Sequence, residues 1–222
     1  LIDNRYNYSE KFIRKLNYQS KVLMIYNNSS GVYNSKICFF PGLFFDKKKI
    51  KVFKKKKINF YYGKKYVIIN NQILNFKKNK SKSFNHIALT TGGSDPHKVS
   101  IKILKILSKS RLRLPIIVLY GLKFKNLNEL KKISRKSNLN IKFKPFNYFN
   151  LFNCRFAICT FGTTTYELIF KQVPFLSVSH SEEIAKKINK IYKKYRPYLD
   201  LGYLGNLSKE RLENKIYLAL KD

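Results

Sequence analysis

The sequence predicts an α/β protein built on parallel sheets. Three observations carry that expectation. Short apolar runs of strand length alternate with segments of helical period, glycine turns fall where the strands end, and the spacing between runs suits right-handed βαβ crossovers. No apolar run approaches the length needed to span a bilayer.

The first part of the chain alternates loosely. Residues 9–16 have a helical pattern, and residues 21–26 (KVLMIY) read as a strand. Residues 36–40 form another short strand, ended by Pro41 and Gly42. Residues 46–57 are a basic run, too charged for a core, and predict a solvated loop or an exposed edge strand. YYGKKYVIINNQILNF follows at 61–76, and KKNKSKS at 77–83 has linker composition. The expected division is a first domain over residues 1–76, a linker over 77–83 and a second domain over 84–222.

The second part is more regular. Residues 86–91 predict a strand running into GGSDP. Residues 96–109 predict a buried helix, with Val99, Ile101, Ile103, Leu104, Ile106 and Leu107 apolar. Strands are expected at 115–120, 140–144, 156–161 and 175–179. Helices are expected at 126–137 (capped by Asn126), 148–153, 164–171, 182–195 and 208–220. In such a sheet ligands sit at the carboxyl ends of the strands, and both glycine turns, Gly92-Gly93 and Gly162, fall there.

The formal net charge is +34 over 222 residues. That charge suggests a nucleic-acid partner. Lysine, however, outnumbers arginine 38 to 8, there are 4 alanines and no tryptophan, and the lysines are scattered. This bias matches residues with A/T-rich codons, and arginine is the residue that makes bidentate phosphate and base contacts. A basic nucleic-acid-binding module is therefore the alternative reading. Acidic residues number only 12, which argues against a carboxylate-rich metal site, and no metal is expected. Cys38, Cys154 and Cys159 each lie in or beside an apolar run and read as reduced core thiols. The opening residues LIDNRYNYSE carry no basic n-region, and the expected location is cytoplasmic.

Two turns carry chemistry. In TGGSDP (91–96) the glycines let backbone approach an anion, Ser94 adds a hydroxyl, Asp95 is placed to cap the next helix, and Pro96 is expected at its first position. FGTTTYE (161–167) is the second. Gly162, Thr163 and Thr164 can hold a diphosphate at a helix N-terminus, while Glu167 accepts hydrogen bonds from a ribose diol. The competing reading is a capping box closed by Thr164 and Glu167. His180 ends a strand on the same rim and is the candidate catalytic residue within the chain. His86 starts a strand and reads as structural, and His97 falls in the first turn of the expected helix. No nucleophile elbow, zinc-protease motif or P-loop lysine is present.

GGSDP, the strand ending in YG, and CTFGTTTYELIFKQVPFLSVS together resemble the C-terminal half of the nucleotide-sugar hydrolase family of pseudaminic acid biosynthesis. They equally resemble the related spore-coat-polysaccharide proteins of glycosyltransferase-B architecture. YYGKKYVIINNQILNF is similar to the segment joining that family's two domains, and LIDNRY with KVLMIYNN to the late part of its first. The resemblance implies two Rossmann-like domains, the first incomplete in an N-terminally truncated chain. It implies a UDP-sugar as substrate, no cofactor, and UDP held by Gly92, Gly93, Ser94, Gly162, Thr163, Thr164, Thr165 and Glu167. The family's reaction is metal-free attack of water on the anomeric carbon. Its first glycine-rich turn and catalytic histidine would lie upstream of Leu1. Thr163-Thr164 stands where the family has a glycine-serine pair, and His180-Ser181 where it has Asn-Gln. The expected activity is UDP-sugar hydrolysis or glycosyl transfer in surface-glycan synthesis. A nucleotide-binding fragment that lacks turnover is the other alternative.

Overall fold

A computed structural model describes residues 1–3, 6–42, 45, 48–77, 84–195 and 200–221. It is an α/β fold with two parallel sheets, as the sequence predicts. The chain divides into two compact units, Leu1–Ile69 and Asn70–Asp222. Most of the expected linker, residues 78–83, lies outside the described residues.

In the first unit, β1 (Leu23–Ile25), β2 (Ile37–Pro41) and β3 (Asn59–Gly63) form a parallel sheet in that order. Helix α1 (Glu10–Gln19) is capped by Ser9, whose hydroxyl accepts from the Phe12 N–H at 3.2 Å. Its Ile13 is fully buried beside Met24, Cys38 and Phe40. The basic run corrects one expectation: most of it is helix α2 (Lys48–Lys55), not a loop or strand. Phe53 explains why. It is fully buried and its ring meets those of Phe40 at 5.8 Å and Phe60 at 5.3 Å. One buried phenylalanine contributes about 1.5–3 kcal/mol, which docks a helix whose other faces carry solvated lysines.

The second unit opens with a short helix, α3 (Asn71–Leu74), and continues as β4 (Ile87–Thr90), α4 (Val99–Leu107), β5 (Ile116–Tyr120), α5 (Leu127–Arg135), β6 (Ile141–Pro145), α6 (Tyr148–Phe152), β7 (Phe156–Thr160), α7 (Thr163–Phe170), β8 (Phe175–Ser179), α8 (Glu182–Tyr195), β9 (Asp200–Tyr203) and α9 (Lys209–Lys221). The sheet runs β6-β5-β4-β7-β8-β9 and every pairing is parallel. This is the doubly wound Rossmann order, with the first strand of the unit at the centre. The central strands are buried along their length, as parallel strands covered on both faces must be. Ile87, Leu89, Ile158, Leu176 and Val178 pack on one face against Ile103, Leu104 and Leu107 of α4 and Leu212 and Ile216 of α9.

Three local expectations change here. Strand β9 was not anticipated. Asn126 does not cap α5 with its side chain; its amide donates to the Asp95 carbonyl at 2.9 Å, tying the α5 entry to the turn after β4. Pro96 is not the first helical residue, because α4 starts at Val99 behind Lys98 in the left-handed region (φ 51°). Asp95 still satisfies the helix end: its carboxylate accepts from Val99 N–H at 2.9 Å, from Ser100 N–H at 3.1 Å and from the Ser100 hydroxyl.

Candidate functional site

The order of the sheet decides where a ligand can sit. Chain leaves β4 toward β5 on one side and leaves β7 toward β8 on the other, so a crevice opens between the carboxyl ends of these adjacent strands. Thr90 pairs with Cys159, which brings the turns after β4 and β7 to the same level. Both turns have open glycines: a Cβ at Gly92, Gly93 or Gly162 would meet no described atom within 4 Å. Gly92 also has φ +85°, a conformation that side chains disfavour. With no side chain above them, these turns leave the backbone open to close approach by a ligand. Gly121, after β5, serves a different purpose. A Cβ there would lie 2.5 Å from the Gly93 Cα, so glycine is what lets the two turns touch.

A cleft of about 740 Å³ lies along these turns. One wall is aromatic, formed by Tyr120, Phe124, Phe146 and Tyr148 from the β5 and β6 ends. Gly92 and Gly93 line another side, and Thr164 and Glu167 form its polar end. Phe146 and Tyr148 meet edge to face at 5.4 Å, which holds both rings upright.

Glu167 is 6% exposed. Burial pushes its carboxyl above the usual range, and the hydrogen bond from the Tyr148 hydroxyl, at 3.3 Å to Oε1, opposes that rise. The Tyr148 phenol is pushed up to about 12 by its own burial and by the neighbouring carboxylate, so it stays a donor. The capping-box reading of Glu167 does not hold. Gly162 is the N-cap of α7, its carbonyl accepts from Thr165 N–H at 3.1 Å, and its own N–H donates to the Thr165 hydroxyl at 3.2 Å. Thr165 therefore closes the helix end and Glu167 remains available to a ligand.

Of the residues singled out from the sequence, Gly92, Gly93, Thr164 and Glu167 line the cleft. Ser94 is exposed on the first turn, while Gly162 and Thr163 stand at the start of α7. Thr165 is fully buried, with its hydroxyl on Gly162 N–H and 3.9 Å from Cys159 Sγ, so it faces the protein rather than the cleft. His180 is exposed just past β8, and its ring stacks on His97. His86 is structural: half-buried, with Nε2 3.2 Å from the Asn150 carbonyl, and held below the usual imidazole range by burial. The aromatic wall and Gly121 were missed in the sequence, although the YG at the end of β5 and the Pro-Phe after β6 mark their positions.

Among the described residues no group of three or more His, Cys, Asp and Glu side chains could hold a metal ion. All three cysteines are buried and outside any disulfide. Lysines occur on α1, α2, α4, α5, α8 and α9, across both units, rather than along one helix. Among the described residues no helix is long and apolar enough to cross a membrane.

The chain matches no protein-family model. It is similar to an uncharacterized protein of Methanocaldococcus jannaschii, with 30% identity over 151 residues, 60% of this chain and 31% of that relative. The chain thus spans about a third of the length of the relative it matches.

Proposed function

We propose that the second unit binds the nucleoside diphosphate of a nucleotide sugar, and that the protein is a UDP-sugar hydrolase or glycosyltransferase of surface-glycan synthesis. One observation carries the reading: two open glycine turns bracket the crevice at the strand-order reversal, and Glu167, not consumed by a helix cap, faces the same cleft. The parts divide the ligand between them. The aromatic wall suits a nucleobase, which binds flat on rings. Glu167 suits a ribose, since a carboxylate accepts from both hydroxyls of a diol. The turns and the α7 N-terminus suit the diphosphate, and fixed N–H donors there would stabilise the charge that develops as it departs from the anomeric carbon. The sugar and any acceptor would lie beyond the diphosphate, toward His180.

Calorimetric titration of UDP into the full-length protein tests this. Saturable 1:1 binding that weakens sharply in Glu167→Ala is expected. Absence of UDP binding by the wild-type protein would overturn the proposal.

A further inference from the structure

Among the described residues, Tyr148 is the one side chain that hydrogen bonds to the Glu167 carboxylate. Its hydroxyl reaches Oε1 at 3.3 Å, and both residues line the cleft. The ring has little freedom. Phe152, which is fully buried, stacks on it at 5.3 Å with planes 11° apart, and Phe146 meets it edge to face at 5.4 Å. Phe152 is in turn held by Phe76, edge to face at 5.2 Å. The backbone is fixed as well: the Asn147 side chain accepts from the Asn150 N–H at 2.8 Å and so starts α6 at Tyr148. Packing therefore sets the direction of the hydroxyl before any ligand arrives.

A glutamate alone has no such fixed direction. The terminal torsion of its side chain is broad and roughly two-fold, so the carboxylate plane turns easily. A ribose diol needs that plane held, because its two hydroxyls donate to two acceptor sites at a set spacing. An ionised carboxylate offers about four such sites on its two oxygens. Tyr148 takes one on Oε1 and leaves the rest of Oε1 and all of Oε2 to a ligand. The same bond favours the charged form, which is the form that only accepts. The surroundings supply no rival. Cys159 on β7 is a neutral thiol, pushed up to about 12 chiefly by burial, and Thr164 is neutral. Asp95, on the turn after β4, is bound to the first turn of α4. Lys171, which ends α7, is turned to the Phe76 carbonyl at 2.9 Å. Among the described residues no ion pair reaches Glu167.

We propose that Tyr148 is a positioning residue: its clamped hydroxyl orients the Glu167 carboxylate so that both hydroxyls of a ribose can bond to it. The proposal rests on the reading that this cleft takes the ribose of a nucleoside diphosphate, and it adds the group that makes the glutamate ready for that ribose.

Tyr148→Phe keeps the ring between Phe146 and Phe152 and removes only the hydroxyl. Two measurements on the full-length protein follow the change. Carbon NMR of protein labelled at the glutamate carboxyls reads Glu167 without any ligand, its signal being the one lost in Glu167→Gln. The titration midpoint of that signal should rise by about one unit in Tyr148→Phe. Calorimetry with UDP across a series of pH values reads the ligand. Near neutral pH the variant should bind UDP about five- to tenfold more weakly, and the 2′-deoxy analogue should lose less. On acidification the variant should lose UDP at a higher pH than the wild type, because its carboxylate takes up a proton sooner. A ring with only a structural role would weaken UDP and the 2′-deoxy analogue alike and leave the pH profile in place. An unchanged Glu167 midpoint, or equal losses for the two nucleotides, would overturn the positioning role, and UDP binding by the wild type would then leave the nucleotide reading standing. A wild type that does not bind UDP overturns the nucleotide reading itself, and a raised midpoint in the variant then still supports Tyr148 as the group that orients Glu167.

Discussion

Glu167→Gln separates what the residue costs the fold from what it gives a ligand. The carboxyl is buried and its pKa is raised above the ordinary 4.5, chiefly by desolvation. For an acid with a raised folded pKa, the folded state holds the proton over a pH range in which the unfolded state has released it. Stability therefore falls as pH rises from about 4.5 through the folded pKa, and the full cost is present above that value. Gln keeps the shape and still accepts from the Tyr148 hydroxyl, but carries no charge. In urea unfolding, the variant should match the wild type near pH 4 and equal or exceed it at pH 7. Ligand binding should move the other way. A hydrogen bond to a charged acceptor contributes about 1.5–3 kcal/mol, so losing the charged diol contact should cost UDP up to that amount, roughly 13- to 160-fold in Kd. The 2′-deoxy analogue of UDP should bind the wild type more weakly and lose little further in the variant, the signature of a shared contact in a double-mutant cycle. Equal UDP affinity in wild type and Glu167→Gln, or a variant less stable at pH 7 than at pH 4 relative to wild type, would refute the argument.

Three further outcomes follow from the packing. Gly121→Ala forces a Cβ to within 2.5 Å of the Gly93 Cα, so it should cost about 1–3 kcal/mol of stability in urea unfolding and weaken UDP binding by displacing the first turn. Asp95→Ala removes the acceptors of two α4 N–H groups and the Ser100 hydroxyl, and should cost about 1–2 kcal/mol, with faster amide exchange at Val99 and Ser100. The Cys38 and Cys159 thiols are pushed up to about 11 and about 12 by burial, so Ellman's reagent at pH 8 should leave both unlabelled in the native protein and label all three cysteines once urea unfolds it.

The second unit was legible because its signals are local. Runs such as FAICT and FLSVS are buried on both faces, and their apolar continuity marks a central parallel strand without reference to anything distant. The basic run hides its helix because its charge density masks the period: a single inward residue, Phe53, is enough to seat α2. The start of α4 was displaced because Asp95 caps across an intervening turn, an offset that depends on left-handed backbone at Asp95 and Lys98. The aromatic wall and the His97–His180 stack were illegible for a different reason. Tyr120, Phe124, Phe146 and Tyr148 come from two connections, and the histidines from two others. Only the strand order β6-β5-β4-β7-β8 makes them neighbours.

The status of Glu167 turns on a shift in where one helix begins. The pattern Thr164-x-x-Glu167 fits a capping box if Thr164 lies outside the helix. The helix instead starts at Thr163 with Gly162 as its cap, and Thr165 takes the position from which a side chain bonds back to the cap N–H. Residues three apart within a helix share a face. Once Thr164 is helical, the spacing that suggested a box places Thr164 and Glu167 side by side, and both line the cleft. Thr165, one turn on, already serves the cap N–H, so the glutamate is left facing the crevice. A ligand with a diol and an adjoining anion would meet the carboxylate and the open α7 N-terminus together, so the local rule that seemed to explain Glu167 away is what sets its geometry.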